Sequence, residues 1–123
     1  PNHTVLLHEA YADFQVANVA TEMQARTIGA NVHQPALAPG RHTDVTPMWG
    51  IDPIPAFPYD GSALIVWDSG TPAVPTANLP PTDGEDPHSD PRSTLAARVQ
   101  KSAFLQTNGM VIDVCAGAPC LTS

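Results

Sequence analysis

Two short apolar runs, Thr4–Glu9 and Ser62–Asp68, are the clear strand candidates of this chain, and two strands alone do not make a stable sheet. The first, Thr-Val-Leu-Leu-His-Glu, does not alternate cleanly between apolar and polar residues. That suits a strand covered on both faces, as in a parallel sheet. The second, Ser-Ala-Leu-Ile-Val-Trp-Asp, is aliphatic, partly β-branched and closed by Ser69-Gly70. If both lie in one parallel sheet, further strands have to come from polypeptide outside these residues.

Proline decides much of what lies between. The chain has 14 prolines, most of them between residues 35 and 91. Each removes a backbone donor and fixes φ, which discourages helix and central strand alike. Residues 31–60 hold Pro35, Pro39, Pro47, Pro53, Pro55 and Pro58 together with Trp49, Phe57 and Tyr59, and read as a long loop whose aromatics need packing partners. Residues 71–91 read as a second proline-rich loop, with the acidic stretch Asp83-Gly84-Glu85-Asp86.

Helical spacing occurs twice. Asn18 can cap a helix in which Val19, Met23 and Thr27 recur at steps of four, with Gly29 as its stop. A second helix is predicted over Arg92–Gln106, with Asp90 as cap, Pro91 in the first turn, and Leu95, Val99, Ala103 and Leu105 as its apolar stripe. Asn108-Gly109 ends it, and Met110–Val114 reads as a short strand or extended tail. The order β, α, long loop, β, loop, α, tail places the chain in the α/β class, as one incomplete domain over residues 1–123.

Composition narrows the functional classes. A net charge of −7 with only five Lys and Arg argues against nucleic acid, whose phosphates require clustered cations. No apolar stretch approaches the roughly 18 residues of a membrane span. Charged residues make up 14% of the chain, below the roughly 25% of an ordinary soluble domain, which suggests that another segment covers part of the surface. The chain begins at Pro1 without a leader pattern, so a processed or truncated piece is expected. Cys115 and Cys120, in Cys-Ala-Gly-Ala-Pro-Cys, are spaced for a tight disulfide loop rather than for a redox or zinc motif. Two free thiols are the alternative; a bridge implies an oxidising compartment, extracellular or periplasmic.

The chemistry concentrates in two residues. Asp13 follows the first strand by a few positions, and His88 sits in the loop between the second strand and the last helix. Catalytic groups of α/β folds gather outside the carboxyl ends of strands, so the two loops can bring this pair together. A carboxylate on one imidazole nitrogen fixes the tautomer and leaves the other nitrogen to act as base. Taken singly, an Asp after a strand is most often a turn former and a His beside proline is most often solvated; their order around matching elements gives the pair its weight.

In that order the chain resembles the last two βα units of an α/β-hydrolase. The family's acid follows the penultimate strand in a pattern like G-x-x-D-x-x-V; here Ala10 replaces the glycine, while Asp13 and Val16 fit. The histidine follows the last strand shortly before the C-terminal helix, as His88 does. Large secreted bacterial hydrolases of this fold can also end in a cysteine pair. The resemblance implies a serine ester hydrolase in which Asp13 orients His88, acting without a cofactor on an ester substrate. The family's nucleophile lies in G-x-S-x-G, ahead of Asp and His in the chain. No such motif occurs here: Ser62 begins a strand, and no helix follows Ser69. The serine and the oxyanion donors are expected from a missing N-terminal part of the same protein, and the chain alone is expected to be inactive.

Other candidates are weaker. His3, His8, His33 and His42 lack metal-ligand spacing. Asp83, Glu85, Asp86 and Asp90 offer oxygens to calcium without the spacing of a calcium loop. Trp49, Phe57 and Tyr59 suit a pocket wall or anchors of their loop, and Trp67 suits the core. The alternative function is a secreted, non-catalytic binding domain that uses the aromatic loops for recognition. Unpaired strand edges also leave self-association open.

Overall fold

The computed structural model describes residues 3–122. Its elements are β1 (Leu6–Ala10), α1 (Asn18–Ile28), β2 (Asn31–Val32), β3 (Ala63–Asp68), α2 (Asp90–Ser93), α3 (Leu95–Phe104) and β4 (Cys120–Leu121). All strand pairings are parallel and all converge on β3. β1 runs the length of one edge, from Leu6 opposite Ala63 to Ala10 opposite Trp67. The short β2 and β4 divide the other edge, β2 at the start of β3 and β4 at its end. The result is a small parallel sheet with helices, the arrangement expected of the α/β class.

β3 is central because its sequence can bury both faces. Alternation sends Leu64 and Val66 into one cluster with Tyr11, Ala25, Val32 and Leu37. Ala63, Ile65 and Trp67 enter a second cluster with Ala97, Val111 and Cys120. Its charged end is neutralised locally. The buried Asp68 takes both Nε and a terminal nitrogen of Arg41, at 2.8 and 2.6 Å, and Arg41 stacks over the Tyr11 ring. Such a fork-to-carboxylate pair satisfies the carboxylate and anchors the loop around residue 41 to the strand.

Several elements differ from the sequence reading. Residues 31–60 include β2, two residues long and without a readable period. Of the two readings of Met110–Val114, strand or extended tail, the segment follows the second, with one isolated antiparallel bridge of Val111 to Tyr59, and the terminal strand, β4, lies beyond it. The last helix breaks at Thr94, whose backbone is extended; its hydroxyl donates to the Asp90 carbonyl. Asp90 lies inside α2 rather than capping it, and its carboxylate accepts the Ser69 hydroxyl at 2.6 Å. Cys115 and Cys120 form the disulfide, with Cα atoms 5.2 Å apart. An oxidising environment is where such a bond persists. Among the described residues no helix is long and apolar enough to cross a membrane.

The apolar stripes point the other way from expectation. Leu95 and Leu105 are 73% and 79% exposed, and Val99, Val19 and Met23 are also exposed. α3 instead buries Ala97 and Gln100, and α1 buries Ala25. Small residues let a helix approach the sheet closely. Burying Gln100 costs little because its amide is bonded twice, to the ring of His8 and to the Ile112 carbonyl. Urea unfolding tests this orientation. Ile65→Ala is expected to cost about 2–5 kcal/mol through lost burial and a cavity, whereas Leu95→Ala is expected to stay within about 0.5 kcal/mol. Comparable losses at both positions would place Leu95 in the core after all.

Candidate functional site

The loop after β1 is shaped by two side chains. Ala12 is held at φ 61°, a left-handed conformation costing roughly 1–2 kcal/mol for a residue with a Cβ. Asn18 offsets that cost, accepting from the Ala12 amide at 2.9 Å and donating to the Ala10 carbonyl at 2.6 Å. Asn18 is thus the first helical residue rather than the cap, and its side chain braces the turn. Ala10 is an ordinary strand residue; the position that would favour glycine is Ala12.

Asp13 follows, buried, with its two oxygens divided between tasks. Oδ1 accepts from the amides of Gln15 and Val16 at 2.8 and 3.0 Å, the turn-forming role expected of an Asp after a strand. Oδ2 lies 2.8 Å from Nδ1 of His88, across 75 positions of chain. The structure therefore brings together the two residues singled out from the sequence.

His88 is positioned by its own loop. Asp86 Oδ1 accepts from the His88 amide at 3.0 Å and from the Phe14 amide at 3.3 Å, and Oδ2 accepts from the Gln15 side chain at 2.8 Å. One exposed carboxylate thus clamps the His88 loop to the Asp13 loop. Its pKa is held below the ordinary value, first by the Gln15 amide and then by the backbone donors. Asp86 and Asp90 serve different partners, and no group of His, Cys, Asp or Glu among the described residues is arranged to hold a metal ion.

The tautomer of His88 follows from its partners. Arg92, one helical turn on, places a terminal nitrogen 2.9 Å from Nε2. A guanidinium can only donate, so Nε2 presents its lone pair and Nδ1 carries the proton given to Asp13. That is the arrangement a general base requires. His88 and Arg92 line a cavity of about 300 Å³ whose walls also include Leu6, His8, Thr21 and Lys101. Among the described residues no hydroxyl is hydrogen-bonded to His88. Ser62 accepts from the Val5 amide, and Ser69 is taken by Asp90 and Thr122.

Sequence reasoning missed Asn18 as a brace, Asp86 as a clamp and Arg92 as the partner of Nε2. Asp86-Pro87-His88 carried a usable signal, since an Asp two residues before an amide is spaced for an Asx turn. The remaining candidates resolve into structure. His33 is buried and bonds the Ala118 carbonyl through Nε2 at 2.8 Å. Phe57 and Tyr59 pack against the core, while Trp49 is exposed beside Arg26. Trp67 is fully buried, as expected.

In the wall of the His88 cavity, His8 is half-buried, with Nε2 on Gln100 and no partner for Nδ1 among the described residues. Burial pushes its pKa down to about 4 from 6.5, only partly opposed by the bond to Gln100. The unfolded chain therefore binds a proton that the folded chain refuses between those values. Stability from this site is complete above pH 6.5 and is lost as pH falls towards 4, by an amount on the order of 2–3 kcal/mol. In urea titrations from pH 7 to 4, His8→Gln should flatten that acid limb relative to the parent, and parallel curves would show that His8 does not titrate this way. No protein-family model matches the chain, and no curated protein or solved structure matches it.

Proposed function

We propose that this chain supplies the acid and the base of a serine ester hydrolase whose nucleophile lies in polypeptide outside these residues. The observation that carries the reading is the 2.8 Å contact of Asp13 with Nδ1 of His88 at the ends of adjacent parallel strands. The tautomer set by Arg92 adds to it. The closed Cys115–Cys120 bridge suits secretion, to an extracellular or periplasmic location.

In this reading a serine hydroxyl enters the cavity beside Nε2, displacing the exposed Arg92 guanidinium. His88 takes the serine proton as the oxygen attacks the ester carbonyl, and the C–O bond to the alcohol breaks as His88 returns that proton to the leaving oxygen. Water then repeats the sequence on the acyl-serine, releasing the acid and regenerating the hydroxyl. Asp13 holds the ring and stabilises the imidazolium in both halves. The hydroxyl and the oxyanion donors come from the partner polypeptide, so the chain alone does not turn over esters.

The test uses p-nitrophenyl acetate with this chain alone and with a longer product of the same gene that includes a Gly-x-Ser-x-Gly segment. The chain alone should match buffer. The longer protein should be active, with Asp13→Asn losing about 10⁴-fold in kcat and His88→Ala at least as much. Full activity of the His88→Ala protein, or the lack of any serine elbow in the longer product, would refute the proposal.

A further inference from the structure

A second cavity, of about 640 Å³, lies on the α1 side of the sheet. Its acidic walls are Glu9 and Asp13 from β1 and the following loop, Glu22 from α1, and Asp44. Among the described residues no Lys or Arg lines it, and His42 is the one basic side chain there. Burial pushes His42 towards its neutral form, partly opposed by Asp44. Asp13 is already committed to His88, and Arg26 lies near enough to Glu22 to act on its carboxyl, so among the described residues Glu9 and Asp44 are the acidic wall groups that face no Lys or Arg.

Glu9 is the unusual member. It lies near the end of the edge strand β1, 3% exposed, and its Oε2 is fully buried with no hydrogen-bond partner among the described residues. A buried carboxyl oxygen in that state costs free energy that an apolar residue of the same size would avoid. Alternation puts Glu9 on the same face of β1 as Tyr11, a member of the core cluster on that side, and Leu7, which packs against that cluster, and the Glu9 side chain forms part of this cavity wall. The rest of the lining includes Val74, Leu79 and Pro75, apolar surface suited to a hydrocarbon group.

We infer that this cavity binds a small organic cation, an alkylammonium group whose charge is received by Glu9 with Glu22 and Asp44 and whose carbon chain lies on Val74 and Leu79. Its volume is that of a small-molecule site. A bare metal ion fits less well, because no set of ligating residues among those described is gathered closely enough to hold one. His88 lines the other cavity and not this one, while Asp13 lies in the walls of both; the inference rests on Glu9, Glu22 and Asp44, which the hydrolase reading does not use.

Burial, and after it the neighbouring carboxylates Glu22, Asp13 and Asp44, push the Glu9 pKa well above its ordinary value. An entering ammonium ion opposes that shift, because a neighbouring positive charge favours the carboxylate form. The test is calorimetric titration of the full chain with n-butylammonium chloride in phosphate buffer, alongside n-butanol, sodium chloride at equal ionic strength and calcium chloride. In parallel, the ¹³C resonance of the Glu9 carboxyl is followed.

Saturable binding of the ammonium salt alone is expected, with the Glu9 resonance moving to its ionised position. Glu9→Gln should weaken binding at least tenfold while raising the unfolding temperature of the empty protein. Should that variant not fold, Glu22→Gln serves in its place and is expected to weaken binding several-fold. Absence of saturable binding, equal binding of n-butanol, preference for calcium, or undiminished binding by the variants would each overturn the inference.

Discussion

The parallel pairing of β1 with β3 is the constraint on which the remaining structure rests. It joins segments separated by roughly fifty residues, so its loop-closure cost has to be met by the burial it creates. That burial is unusually complete, since Ala63 through Trp67 are wholly removed from solvent. Once the register is set, β2 and β4 can occupy only the free edge of β3, and α1 and α3 take opposite faces through Ala25 and Ala97. The same pairing sets the Asp13 and His88 loops side by side at the carboxyl end of the sheet, where α/β folds collect their chemistry.

What could be read from the sequence follows the strength of each local signal. The Ser62–Asp68 run is long, apolar and sharply bounded, and β3 lies within it. Strands of two residues, such as β2 and β4, have no period to detect; they exist because β3 offers an edge. The helices were legible as elements but not in their orientation. Leucine and valine at helical spacing suggest a buried stripe, whereas packing of α3 is decided by the small Ala97 and by an amide, Gln100, that finds two partners inside. Propensity and spacing cannot register partners that are remote in the chain.

The candidate site divides in a similar way. Asp13 and His88 could be picked out because each lies just past a strand or before a helix, a relation visible in one dimension. Their supports were not visible. Asn18 acts on a turn six residues back, Asp86 reaches across 72 positions to the Phe14 amide, and Arg92 meets Nε2 only because α2 begins where it does. Glu9 was equally hidden, since a carboxylate at the end of an apolar run looks like the solvent-facing end of a strand. Its burial follows from the loop around Asp44 and the segment from Val74 to Pro81, which wall the cavity beside it.

Central to this account is the state of one imidazole, with its Nδ1 proton given to Asp13 and its Nε2 lone pair facing the Arg92 guanidinium, which an incoming hydroxyl would displace. Nitrogen-15 NMR of the histidine side chains reads that state directly. The account predicts a protonated Nδ1 on His88, with a downfield proton that disappears in Asp13→Asn, and an Nε2 that carries no proton in the neutral ring. A His88 ring carrying its proton on Nε2, indifferent to the Asp13 substitution, would contradict it.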